Sequence, residues 1–222
     1  MVFGRTANYL RRISRSKTTT QTSGNRIGRA SETVPNAARK YQVTEFRELI
    51  FQLLNLHNQN VAQMQISVEQ HCSDPNEYDG RECFRILHNL SHAVYGSRTA
   101  EQNADINFAA KHYMRMFEVE SYEASLGHYF RTLYHIIKFV NESDALKTEN
   151  ADGDYKNRRR YTSLVRAQLS AFELELLFYN GISPNGKKFK PLIEKFGLLE
   201  NFDTKHLLSP SHESFYAKTA FE

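Results

Sequence analysis

Four side chains able to handle a phosphate recur at spacings of three and four between Tyr122 and Asn141: His128, Arg131, His135 and Lys138. Projected on a helix they fall, with Glu142, within an arc of roughly 80°. Leu126, Phe130, Leu133, Ile137 and Val140 occupy the opposite side, so the apolar arc packs and the polar stripe faces solvent, a cleft or another subunit. A guanidinium clamps phosphate through paired hydrogen bonds. Imidazole exchanges protons near neutral pH. The expected division of labour is therefore Arg131 on a phosphate and His135 as base or acid, with His128 and Lys138 as binding groups.

A second stripe lies between Gly80 and Tyr95, where Arg81, Arg85, His88 and His92 share an arc of about 60°. Arg81…His88 and Arg85…His92 each enclose six residues, a spacing that resembles the Arg-x4–6-His pattern of HEPN ribonucleases. Those enzymes are small helical bundles that dimerise and cut RNA without metal. With 17 arginines and nine histidines in 222 positions, chance supplies about as many such pairs as are found, so only their common face keeps them as candidates. A third stripe, Arg166, Ser170 and Glu173, runs along a segment apolar in nearly every other direction. A helix of that kind is central to its bundle. Its charges must then be paired, either in an ion network that fixes helix register or in an anion pocket where Arg166 sits beside Arg131. Gln168 and Glu175 point elsewhere, towards neighbouring helices.

Other residues carry weaker signals. His57 sits mid-way along an apolar helical face, where a satisfied core histidine is expected. Lys187, Lys188 and Lys190 follow a turn, near a helix start that favours anions. Phe172, Phe178, Tyr179, Phe189 and Phe196 read as core. Cys72 and Cys83 are eleven apart with neither a CxxC partner nor a histidine pair at zinc spacing. They are expected to be reduced thiols. The chain contains no Walker loop, GxGxxG, HExxH or GxSxG signature, which argues against ATP hydrolysis, dinucleotide binding and serine chemistry. No metal and no cofactor are expected.

The elements that must position these groups are helical. A first helix is expected from Thr44, with Thr44 as cap and Phe46, Leu49, Ile50, Leu53, Leu54, His57, Val61 and Met64 at helical spacing. Asp-Pro and Asp-Gly make Ser73–Gly80 a loop. Further helices are expected over about Gly80–Tyr95, Ala100–Phe117, Tyr122–Asn141, Tyr155–Tyr179 and Lys187–Phe196, with a short one after Ser209-Pro210. The fold class is all-α, a bundle of six to seven helices.

A net charge of +4 conceals an imbalance. Residues 1–40 hold nine Arg or Lys against Glu32 alone, while the remaining 20 bases and 24 acids leave the rest mildly acidic. Few large apolar residues interrupt that basic stretch, so a disordered arm over 1–40 precedes a helical domain over 41–222. The arm suits a nucleic-acid contact. No run reaches the ~18–20 apolar residues of a membrane span, and a cytoplasmic protein is expected.

Gly127-His128-Tyr129-Phe130-Arg131 with Leu133-Tyr134, Arg166-Ala167-Gln168-Leu169-Ser170 with Leu176-Leu177-Phe178-Tyr179-Asn180, and the run Lys188–Lys195 together resemble the phage abortive infection proteins of bacteria, the family related to abortive infection protein C. Leu54–Asn58 and Gly80–Phe84 are fainter echoes, and the likeness spans roughly residues 44–202. It implies antiphage defence. Family members often carry membrane helices ahead of this region, and here the basic stretch stands instead. Two mechanisms follow: binding or sensing of a phage or host protein or RNA through the cationic faces, or metal-independent cleavage of RNA. In the second, Arg131 holds the phosphate, His135 moves the proton, the substrate's 2′-hydroxyl attacks, and a homodimer mate or the Arg81–His92 stripe completes the cleft.

Overall fold

Apolar residues three and four apart draw most of this chain into helices that bury an apolar face. The computed structural model describes residues 33–70, 73–96, 98–118 and 120–222. Of the arm expected over 1–40, residues 1–32 lie outside the described residues, as does Cys72, whereas residues 33–40 are not irregular but form the start of a helix. Two units are distinguished, Met1–Tyr41 and Gln42–Glu222.

Helix α1 (Thr33–Ala62) begins upstream of Thr44, which is therefore interior to it rather than its cap. It buries Phe46, Ile50, His57 and Val61. Strands β1 (Gln65–Gln70) and β2 (Ser73–Asp79) form an antiparallel hairpin with Ile66 opposite Tyr78 and Val68 opposite Asn76. Ser73–Asp79, expected as a loop, is thus a strand. Two facts explain it: Ile66 and Val68 alternate with polar residues, and hydroxyls from the neighbouring helix satisfy the free carbonyls of β1. Tyr122 donates to Ser67 at 3.2 Å and Ser125 to Gln65 at 3.0 Å.

Helix α2 spans Glu82–Tyr95. Helices α3 (Ala100–Ala104) and α4 (Ile106–Met114) replace one expected helix, because Asp105 leaves the helical conformation and caps α4 by accepting from the Asn107 amide. A 3-10 turn, Arg115–Glu118, leads towards α5 (Glu120–Glu142). Helices α6 (Ala151–Arg166) and α7 (Ala171–Ile182) are likewise two where one was expected. Ser170 adopts an extended conformation, accepts from the Glu173 amide at 3.3 Å, and receives the Glu173 carboxylate on its own amide at 2.8 Å. Such a reciprocal cap starts a new helix, and the proposed Arg166–Ser170–Glu173 stripe does not form. Helix α8 (Lys190–Phe196) starts with Pro191 and stops at Gly197, whose φ of +57° is the left-handed close that glycine favours. The expected terminal helix is a pair of 3-10 turns, Pro210–Phe215 and Lys218–Ala220.

Every residue of α7 from Glu173 to Gly181 is buried, and α2, α4 and α8 pack around it. Helix α5 lies beside α6 and β1, burying Leu126, Tyr129, Phe130, Leu133, Ile136, Ile137 and Val140. The fold is all-α with one small hairpin. Phe178, Tyr179, Phe189 and Phe196 are core residues, as their pattern implied, and Phe172 is partly buried against that core.

Candidate anion-binding cleft

Because α5 buries its apolar arc, its opposite face carries Arg131 and His135 outward, and both line a cleft of about 530 Å³. Across from them stand Asn180, from the last turn of α7, and Asn185, Gly186 and Lys188, from the loop that follows. The loop is built locally. Ser183 donates its hydroxyl to the Asn180 carbonyl at 2.7 Å and accepts from the Gly186 amide at 3.3 Å. A Cβ at position 186 would stand 1.9 Å from that same carbonyl, so only glycine lets the loop fold back far enough to present Lys188. Tyr134, edge-on to Phe189 at 5.6 Å, and Phe130 supply apolar wall. Glu123 is the single acidic residue on the rim.

Arg131, His135 and Lys188 have no ion pair among the described residues. Three cationic or cationisable groups therefore meet one hollow, with a buried amide, Asn180, anchored to Tyr113 at 3.4 Å. This arrangement can receive an anion. Sequence reasoning found Arg131 and His135 from their spacing and considered Lys188 for phosphate. It missed Asn180, whose place beside α5 depends on tertiary packing.

The remaining expected groups go elsewhere. His128 lines a different hollow with Asn60, Gln63 and Ser125, and Lys138 pairs with Glu142 at 3.8 Å. Arg166 donates to the Glu200 carbonyl at 2.6 Å and pairs with its carboxylate at 3.3 Å, lining a third hollow that includes Asp203. It does not join Arg131; the break before α7 sends it to the chain after α8. Lys190 pairs with Glu194 at 3.1 Å.

The second cationic stripe, on α2, is a row of ion pairs. Arg81 meets the fully buried Glu173 at 3.1 Å, and Arg85 pairs with Glu82 one turn away. His88 Nδ1 contacts one oxygen of Glu175, and His92 Nε2 lies 2.8 Å from the other and 3.1 Å from the His206 carbonyl. The hydrogen bond to Glu175 lifts His92 above the usual imidazole range. Glu173 also accepts from Tyr129 at 3.2 Å, and burial followed by that carboxylate's charge keeps the phenol protonated. The Arg81…His88 and Arg85…His92 pairs thus end on carboxylates, which leaves little free cationic charge for a phosphate. Ligand atoms of His88, His92 and Glu175 lie within 4.8 Å of one another. His57 is buried as expected but not satisfied, since neither ring nitrogen has a partner among the described residues. Burial, aided by the nearby Arg81 charge, pushes its pKa down to about 4.

Residues 121–207 match the family model described as "Putative phage abortive infection protein". The matched segment runs from the start of α5 through α8 to the 3-10 turn Thr204–His206, and so contains Arg131, His135, Asn180 and Lys188. Helix α2, with the second stripe, lies outside it. No curated protein and no solved structure matches the chain. Among the described residues no helix is long and apolar enough to cross a membrane.

Proposed function

We propose that this protein acts in abortive infection against phage by holding a phosphate-bearing ligand, RNA foremost, in the cleft of Arg131, His135 and Lys188. The observation that supports this reading is the convergence of those three groups, without an ion pair among the described residues, on one hollow within the segment that resembles the abortive infection proteins. Arg131 offers a planar pair of donors for two phosphate oxygens, Lys188 a mobile point charge from the opposite wall, and Asn180 an amide beside them. Tyr134 and Phe117 on the lining provide flat apolar surface for a nucleobase.

His135 favours a second, stronger version in which the cleft cuts the RNA it holds. The 2′-hydroxyl oxygen attacks the adjacent phosphorus, the bond to the 5′-oxygen breaks, and a 2′,3′-cyclic phosphate remains. The imidazole either takes the hydroxyl proton or delivers one to the leaving oxygen. Arg131 and Lys188 balance charge that builds on the phosphoryl oxygens.

Phage plating with Arg131→Ala, His135→Ala and Lys188→Ala, each checked for folding by circular dichroism, tests both versions. Loss of protection in all three supports the cleft, and full protection removes it. His135→Ala that loses protection yet binds RNA normally, with no new cleavage ends in RNA from infected cells, selects catalysis over binding.

A further inference from the structure

The pairing of two histidines with one carboxylate in the N-terminal half of α7 has its own chemistry. His88 and His92 are one turn apart on α2 and present Nδ1 and Nε2, respectively, to the two oxygens of Glu175 on α7. Their ring centroids are 4.2 Å apart. Glu175 is only 1% exposed, and His88 is 16% exposed, so the carboxylate is buried with imidazoles as its direct partners. A buried carboxylate is costly unless a cation stands against it.

We propose that His88, His92 and Glu175 form a binding site for a divalent transition-metal ion of the zinc type. Three donors lie within 4.8 Å of one another, and small side-chain rotations would bring each to about 2.0–2.2 Å from a shared ion. Two imidazoles and one carboxylate suit Zn²⁺, Co²⁺ or Fe²⁺, whereas Mg²⁺ and Ca²⁺ require oxygen ligands. The turn Thr204–His206 lies beside the three groups. The His206 carbonyl is already 3.1 Å from His92 Nε2, and its ring lies 5.9 Å from that of His88. Phe172 covers His88 at 5.0 Å between ring centroids. An ion here would tie α2, α7 and the Thr204–His206 turn together. The site is independent of the Arg131 cleft, with which it shares no residue, and needs no assumption about RNA.

The test uses the untagged full-length chain, stripped with chelator and dialysed against Zn²⁺ or Co²⁺. One ion per chain is expected, with a visible d–d band for Co²⁺ and a rise in Tm with Zn²⁺ but not with Mg²⁺. His92→Ala and Glu175→Gln should weaken Zn²⁺ binding by ~100-fold or more, while Arg131→Ala should bind as the wild type does. Folded wild-type protein that takes up no stoichiometric metal overturns the proposal, and so does undiminished binding by His88→Gln/His92→Gln. Should the substituted proteins fail to fold, the wild-type Co²⁺ spectrum decides: imidazole-ligated Co²⁺ supports the site, and aquo Co²⁺ alone ends it.

Discussion

The faces of α5 and α2 carry nearly the same side chains and end in opposite electrostatic states. Each helix sets arginine and histidine at intervals of one turn. At α2 Arg81, His88 and His92 meet Glu173 and Glu175 from the buried N-terminal half of α7, and Arg85 pairs with Glu82 of its own helix. On α5, Arg131 and His135 meet the other end of α7, where Asn180 and the loop to Lys188 offer an amide and another cation. One central helix thus sets its two acids against the cations of α2, while on α5 Glu173 meets only the neutral phenol of Tyr129. A cationic stripe is therefore neither a site nor a scaffold in itself; the element opposite decides which it becomes.

Removing the acid should damage the paired face most. Glu173→Ala removes one half of the reciprocal cap of α7 and strands Arg81 and Tyr129, and a loss of ~3–5 kcal/mol in urea unfolding is expected. Glu173→Gln retains the shape and should cost clearly less. A null effect would mean that the two faces differ for some reason other than Glu173.

On the open face the effect should appear in binding rather than stability. Arg131→Ala and Lys188→Ala should each weaken RNA affinity about 10-fold and flatten its salt dependence by roughly one unit of slope, with stability within ~0.5 kcal/mol of wild type. Arg85→Ala, on the paired face, should leave affinity and slope unchanged in the same filter-binding titration. Equal losses from Arg85 and Arg131 would erase the contrast. Gly186→Ala tests the loop that delivers Lys188. Its methyl group must displace the Asn180 carbonyl, at a cost of ~1–3 kcal/mol, and RNA affinity should fall with it.

His57 offers a smaller, pH-dependent probe beneath Tyr129, 5.0 Å from its ring. The folded protein holds this imidazole neutral down to about pH 4, whereas an unfolded chain protonates it near 6.5. The unfolded state therefore binds more protons in that window, and stability should fall by ~2–3 kcal/mol as pH drops from 6.5 towards 4. His57→Phe should remove this part of the acid sensitivity. It should leave stability at pH 7.5 equal or slightly higher, because neither ring nitrogen has a partner to lose. An unchanged pH profile in thermal melts would show that His57 is not the group that resists burial of charge.

Periodicity along the chain made the helices legible, since each must bury a face and the spacing of Leu126, Phe130, Leu133, Ile137 and Val140 permits one outcome. The same spacing set Arg131 and His135 on the opposite side of α5. The breaks at Asp105 and Ser170 were less visible, because Asp and Ser sit inside apolar patterns that a longer helix would satisfy equally well; the choice fell to local caps. The hairpin Gln65–Asp79 depends on α5 hydroxyls that no neighbouring residue in sequence supplies. Above all, spacing cannot tell whether a cation is free, since that depends on the charge brought against it from dozens of positions away. The opposed faces of α5 and the row of cations on α2 were thus determined by sequence alone. The pairing of Arg81, His88 and His92, and the lack of an ion pair for Arg131, His135 and Lys188 among the described residues, were decided only when packing turned the acid-rich half of α7 towards α2 and its amide-bearing end towards the cleft.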